Sequence, residues 1–341
     1  MILITGGAGY IGSHLIIELI KRNKKIVVID NFTNSSGKNL TAINRLLKVK
    51  IKFIKCDLLD KKKLNKVFQN NSIKTIFHLA GLTSISESIN EPLKYYDNNV
   101  SGTVNLLYFA KKHKITRIIY SSSAAVYGSK CKVPYKEEDA ISFGENPYAM
   151  TKLMSERLLQ DFVNTNKLCK IAILRYFNPI GMHKSCKIGY NHKQSSNLIP
   201  NIIRVLLKKD KVLRVYGGNF KTQDGTGVRD YIHIDDLIEG HLSALQNINK
   251  NNGFNIWNLG RGNGYSVLEV VKMFEKILCT KVNYNIENQR LGDIPQFWCS
   301  TSKSNRELKW KANKDLEDMI KDEINSLRYL NKNFKKKIVK F

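Results

Sequence analysis

The chain has 341 residues, 42% of them hydrophobic, enough for about two domains and a full buried core. Lys plus Arg number 56 against 29 Asp plus Glu, a net charge of +27, but the basic residues are spread along the whole chain and no recognisable nucleic-acid module accompanies them. This excludes a disordered polycation and argues against a nucleic-acid partner; no apolar run is long enough for a transmembrane helix, and six scattered cysteines without a CxxC pair suit neither a disulfide framework nor a metal site.

The chain opens directly on Met1-Ile2-Leu3-Ile4-Thr5, without a basic leader or cleavage site, so a cytoplasmic location is expected. Over the first 180 residues short β-rich runs alternate with helical patterns, the signature of an α/β fold with a parallel sheet. Strands are predicted over 1–5, 25–30, 51–55, 74–79, 116–121 and 169–175, and helices near 12–23, 38–48, 61–69, 92–113 and 147–167. In the first helix Ile11, Leu15, Ile16, Leu19 and Ile20 fall on one face, as a helix lying over a sheet requires. Beyond about 178 the pattern loosens into loops rich in Asn, Gly and Ser, with helices near 198–208, 235–247 and 266–278. The reading is a Rossmann-type doubly wound domain over 1–177 and a smaller mixed α/β region over 178–330, some of whose elements return to the first domain. A basic tail follows over 331–341.

Gly6, Gly9 and Gly12 form G-x-x-G-x-x-G, directly after a strand and before a helix. Glycines there let the backbone approach a pyrophosphate, whose charge faces the helix N-terminus; the alternative is a purely structural turn. Asp30 ends the next strand, where a carboxylate can accept from adenosine ribose hydroxyls and repel a 2′-phosphate, which favours NAD over NADP; a turn or cap role is the competing reading. Asp57, ending the third strand, is a second candidate, for the adenine, and equally a turn carboxylate.

Tyr148 and Lys152 stand four residues apart at the start of a helix opened by Asn146-Pro147, so both side chains share one face. An ammonium beside a phenol favours the phenolate, and the expectation is a tyrosine whose pKa is lowered until it can take a proton from a sugar hydroxyl. Upstream, Ser121-Ser122-Ser123 ends the fifth strand, at the carboxyl edge where open α/β sheets bind ligands, and Ser123 can hydrogen-bond the same oxygen.

The blocks TGGAGYIGS (5–13), SSSAAVYG (121–128), PYAMTK (147–152), LRYFNPIG (174–181) and DGTGVRDYIH (224–233) follow one another in order, with matches at 29–31, 78–82, 95–99, 258–262 and 290–293. By them the chain resembles the nucleotide-sugar epimerase branch of the extended short-chain dehydrogenase/reductase superfamily. The resemblance implies interconversion of UDP-glucose and UDP-galactose by reversible hydride transfer at C4, with NAD held tightly and regenerated each turnover. It makes Tyr148 the base, Ser123 the residue that holds O4, and Lys152 the partner that tunes Tyr148 and binds the nicotinamide ribose. Its cofactor residues here are Gly6, Gly9, Tyr10, Ile11, Gly12, Asp30, Asn31, Asp57, Leu58, Leu79, Ala80, Gly81, Asn98, Ser123, Tyr148, Lys152 and Phe177. On the substrate side it gives Arg229 and Arg290 to the pyrophosphate and Asp293 to the uridine ribose. Asn178 and Asn197 fall near the phosphates and sugar, Tyr216 near the uracil, and Ser123 and Tyr148 at the sugar. No metal is implied. The resemblance also implies a homodimer formed through the helices near 92–113 and 147–167.

Two positions depart from the common pattern. Thr83 stands where many members carry Lys, which removes one cationic cofactor contact, and Phe297 puts a bulky ring at the gate of the sugar pocket, against an N-acetylated sugar. Related dehydratases carry Thr-Asp-Glu where this chain has Ser121-Ser122-Ser123, which argues against dehydration; a UDP-glucuronate epimerase and a non-catalytic NAD-binding regulator are the other readings.

Overall fold

The computed structural model describes residues 1–129, 131–139, 141, 144–189, 197–250, 253–290 and 293–330; the basic tail expected over 331–341 lies outside them. The first half runs β1 (Ile2–Thr5), α1 (Tyr10–Lys21), β2 (Ile26–Asp30), α2 (Lys38–Leu47), β3 (Phe53–Lys55), α3 (Lys61–Gln69) and β4 (Thr75–His78). It continues with α4 (Ile85–Asn90), α5 (Pro92–Tyr95), a π-helical turn (Tyr96–Ser101), α6 (Gly102–Lys112), β5 (Arg117–Ser123), α7 (Pro147–Thr165) and β6 (Lys170–Tyr176). The second half adds β7 (Asn178–Ile180), α8 (Leu198–Leu206), β8 (Leu213–Tyr216), β9 (Val228–His233), α9 (Ile234–Asn247) and β10 (Phe254–Leu259). Last come β11 (Gly264–Ser266), α10 (Val267–Leu278), β12 (Tyr284–Glu287), β13 (Gln296–Phe297), α11 (Ser302–Leu308) and α12 (Leu316–Leu330).

Seven parallel strands form the main sheet in the order β3-β2-β1-β4-β5-β6-β10, so the doubly wound parallel fold is present. Both faces are covered, which is why β1 and β4 are buried at every residue. The pleat splits the core in two: Leu3, Ile76 and Ile118 pack on one side with Leu106, and Ile4, Phe77 and Ile119 on the other with Leu15 and Trp257. The edge strand β10 returns from the second half to pair with β6, Trp257 opposite Leu174.

The second half builds a small sheet, β11-β9-β13 with β7 also on β9, beside a β8–β12 pair. Its core gathers Ile202, Val215, Val270, Phe274, Met319, Ile320 and Ile324 between α8, α10 and α12. The helix expected over 92–113 is interrupted by the π-turn at Tyr96–Ser101. Such single-turn bulges cluster at functional sites and leave no distinct mark in hydrophobic spacing. Among the described residues no helix is long and apolar enough to cross a membrane.

Candidate active site

The carboxyl ends of β1, β2, β4 and β5 open on one edge, and the glycine turn lies there. Gly6 has φ +69°, and a Cβ on it would stand 2.7 Å from the Ala80 nitrogen; one on Gly12 would stand 2.5 Å from the Gly6 carbonyl oxygen. These two glycines let the turn pack against the β4 end and against itself. A Cβ on Gly9 would meet only the Gly6 oxygen, at 3.3 Å, so the backbone is open there. Gly9 caps α1 without a side-chain hydrogen bond, and no acidic residue occupies the first turn. The first amides of α1, including those of Tyr10 and Ile11, therefore suit an anion, and the turn fits a dinucleotide pyrophosphate.

Asp30 is buried and accepts from the Ala8 nitrogen at 3.0 Å, the Phe32 nitrogen at 2.9 Å and Ser35 Oγ at 2.8 Å. A carboxylate has about four acceptor positions, so one remains for a ribose hydroxyl. Asn31 donates to Asp57 at 2.8 Å, and Asp57 also accepts from the Leu59 nitrogen, which ties the ends of β2 and β3 together beside Leu58. The Leu79–Gly81 segment follows β4, with the Ala80 nitrogen bonded to Thr5 Oγ1 at 3.2 Å.

Ser123 ends β5, and its hydroxyl lies near enough to the Tyr148 phenol to favour the phenolate. Asn146 caps α7 by accepting from the Ala149 nitrogen at 2.9 Å, which fixes the helix start one residue before Tyr148. Lys152, buried one turn later, donates to the Ser121 carbonyl at 2.6 Å and lies 4.9 Å from the Tyr120 ring centroid. Burial brings the Lys152 ammonium down to about 8. The expected lowering of the tyrosine is not found in the protein alone. Burial raises the Tyr148 phenol, the nearby Ser123 hydroxyl offsets part of that, and the lysine is directed to a backbone carbonyl.

Asn99, one residue beyond the expected Asn98, is the residue the sequence reading passed over. Its amide accepts from the Leu82 nitrogen at 2.8 Å and from Asn98 at 2.9 Å, and donates to the Leu82 carbonyl at 3.1 Å and to Thr151 at 3.0 Å. Thr151 in turn donates to the Tyr148 carbonyl at 2.8 Å. The π-turn thus joins the loop after β4 to α7; its signal was the Asp-Asn-Asn run, read as ordinary helix. Beneath it His78 bridges Thr5 at 2.9 Å and Thr103 at 3.0 Å, and burial lowers its pKa to about 3. Thr83 is exposed.

On the far side, Arg229 projects from β9 and donates to the Val228 carbonyl at 2.9 Å and the Ile294 carbonyl at 2.7 Å; burial lowers its pKa, and Asp293 and Arg290 are near enough to act on it. Arg290 pairs with Asp293 through two bonds of 3.1 Å and lies 4.7 Å over the Tyr216 ring. Asn178 heads β7 and Asn197 caps α8, both exposed. Phe297 on β13 pairs in register with Arg229, and its ring lies 5.2 Å from that of Phe177. The structure therefore gathers Tyr216, Arg229, Arg290 and Asp293 from three stretches of chain. Among the described residues no group of three or more His, Cys, Asp or Glu is arranged to hold a metal ion.

Residues 2–260 match the NAD dependent epimerase/dehydratase family. UDP-glucose 4-epimerase of Pasteurella multocida is 44% identical over 322 residues, 94% of this chain and 95% of that protein; the enzyme of the same name from Bacillus subtilis is 43% identical with the same coverage. The solved structure of UDP-glucose 4-epimerase from Bifidobacterium longum in complex with NAD+ and UDP is 39% identical and superposes with a TM-score of 0.92, over 98% of this chain and 99% of that one. On this match, and with the glycine turn and the Ser–Tyr–Lys group on one sheet edge, the chain belongs to the NAD dependent epimerase/dehydratase family.

Proposed function

We infer that this protein interconverts UDP-glucose and UDP-galactose with NAD as a retained cofactor, a UDP-glucose 4-epimerase activity. The observation that carries the reading is Tyr148, with Ser123 near it and Lys152 one turn on, at the same carboxyl edge of the parallel sheet as the glycine turn, whose helix N-terminus at Gly9 has no side-chain cap.

The α1 amides and the glycine turn hold the pyrophosphate of the dinucleotide, Asp30 its adenosine ribose, and Asp57 with Leu58 the adenine; Leu79–Gly81, Asn98 and Phe177 line the nicotinamide side. Bound NAD supplies a hydride acceptor and donor at sugar C4 and a positive charge beside the phenol. Tyr148, as phenolate, takes the proton of the sugar 4-hydroxyl while Ser123 holds that oxygen. Lys152 keeps a positive charge next to this pair in a buried site, where it counts for more than in water. The 4-keto sugar turns about its pyrophosphate linkage, hydride returns to its opposite face, and Tyr148 gives the proton back. The sequence is redox neutral, so no second substrate is needed. Arg229 and Arg290 suit the two negative charges of the substrate pyrophosphate, Asp293 the uridine ribose and Tyr216 the uracil, with Asn178 and Asn197 toward phosphates and sugar. Phe297 narrows the pocket against N-acetylated sugars.

The protein acts as a cytoplasmic homodimer in this reading. Ile85, Ile89, Leu93, Val104, Tyr108 and Met154 are exposed on α4 to α7, with Leu93 at 82%, which supports burial of that surface against a second copy.

The test is to incubate the purified protein with UDP-galactose and no added cofactor and to separate the products. UDP-glucose is expected, and it is lost in Tyr148→Phe. No conversion even with added NAD, in protein shown to be folded, contradicts the reading.

A further inference from the structure

Four side chains stack in a column that ends on Phe297. The Arg175 guanidinium lies 4.8 Å over the Tyr127 ring, Tyr127 stacks on Tyr135 at 5.2 Å and 24°, and Tyr135 meets the Phe297 ring edge to face at 5.0 Å and 74°. The inner three are buried and Phe297 half-buried. These are preferred cation–π, offset-stacked and T-shaped geometries.

The column is anchored at its base. Arg175 makes a two-point pair with Glu156, at 3.1 and 2.8 Å, and donates to the Glu137 carbonyl at 3.3 Å; Ser122 donates to the same Glu156 carboxylate. Glu156 is on α7, one turn past Lys152. Each ring is also held by its hydroxyl, Tyr127 on Asn258 at 2.7 Å and Tyr135 on the Gly128 carbonyl at 3.2 Å. The backbone of Tyr135 is bonded to the segment that carries the gate: its nitrogen donates to the Trp298 carbonyl at 2.9 Å, and its carbonyl accepts from the Ser300 nitrogen at 2.8 Å.

A phenyl ring excludes a larger sugar substituent only while it cannot swing aside. Phe297 is packed on Phe177 on one side and Tyr135 on the other, so the energy of rotating it is set by whether Tyr135 can yield. We propose that Tyr135, backed by Tyr127 and the Arg175–Glu156 pair, is a specificity-determining positioning residue that keeps Phe297 rigid and thereby excludes N-acetylated UDP-hexoses. This rests on the reading of Phe297 as the gate of a UDP-hexose pocket.

The experiment compares kcat/KM for UDP-galactose and UDP-N-acetylgalactosamine in the holoenzyme and in Tyr135→Met, Tyr135→Phe and Phe297→Ala. Tyr135→Met, which keeps apolar bulk but loses the flat ring, is expected to narrow the ratio by about tenfold, mainly through KM for the acetylated sugar. Tyr135→Phe keeps the ring and should hold the ratio within about twofold of the parent. If Tyr135→Met does not fold, Tyr127→Met reads the same ratio one ring further from the gate, with a smaller narrowing. A narrowed ratio in Phe297→Ala with no change in the folded Met variant overturns the proposal and leaves the gate standing. No change in either overturns both.

Discussion

The cofactor half and the nucleotide-sugar half of the site are built by different means. Around the glycine turn the backbone sets the geometry: Gly6 is required by its positive φ and by the Ala80 nitrogen, which a Cβ would meet at 2.7 Å, and Asp30 already receives three hydrogen bonds. In the other half the charged groups are side chains, Arg229 on β9 held by two backbone carbonyls and Arg290 paired to Asp293 three residues on, with the Arg290 side chain 59% exposed. The first half is pre-formed for its ligand. In the second half the Arg290 guanidinium is held by an exposed pair that contributes little by itself, so exchanging its carboxylate for another anion costs little.

That contrast can be broken by acid. His14 on α1, His78 on β4 and His241 on α9 belong to the main sheet and its covering helices, which carry the cofactor half, and burial lowers their pKa values to about 4, 3 and 4. Each is neutral when folded and takes up a proton when unfolded between its folded value and the usual 6.5, so the unfolded state binds more protons in that window. Their contribution is complete above about pH 6.5 and is lost as the pH falls toward 4. Bound NAD should therefore leave with the unfolding of this half, followed by circular dichroism and cofactor fluorescence; cofactor loss well before any change in secondary structure would speak against it.

Glu156→Gln leaves Arg175 buried without its counter-charge and is expected to cost about 3–5 kcal/mol in chemical denaturation. Gly6→Ala forces a side chain into a left-handed backbone and onto Ala80, an expected loss of about 3 kcal/mol together with most of the bound NAD. The smallest stability change belongs to Arg290→Ala, under about 0.5 kcal/mol, but titration with UDP should show binding weakened about tenfold. An Arg290→Ala protein that melts as early as Gly6→Ala would erase the distinction between the halves.

The same distinction governs what could be read from the chain. Strand–turn–helix order, Gly6, Gly12, Asp30 and the cap at Asn146 are local facts, each tied to a backbone requirement, and the parallel sheet they imply is there. The π-turn was not legible, because helical spacing looks alike on either side of one wider turn. The strands β7 to β13 were expected only collectively, as a mixed region with some elements returning to the first domain, and none was placed; several have only two to four residues, too few to show alternation. In α12 the spacing of Leu316, Met319, Ile320, Ile324 and Leu327 was a helical signal that went unread. The i, i+4 spacing of Tyr148 and Lys152 correctly put both on one face, but it could not tell that the ammonium would be taken by the Ser121 carbonyl and that burial would decide the phenol.

The central claim is reversible hydride transfer at one carbon without release of the oxidised sugar. UDP-galactose deuterated at C4, turned over in ordinary water, tests it most directly. The account predicts that the UDP-glucose formed carries its deuterium at C4, with none passing to solvent. Washout of the label to water would contradict it, since that requires the C4 hydrogen to leave as a proton.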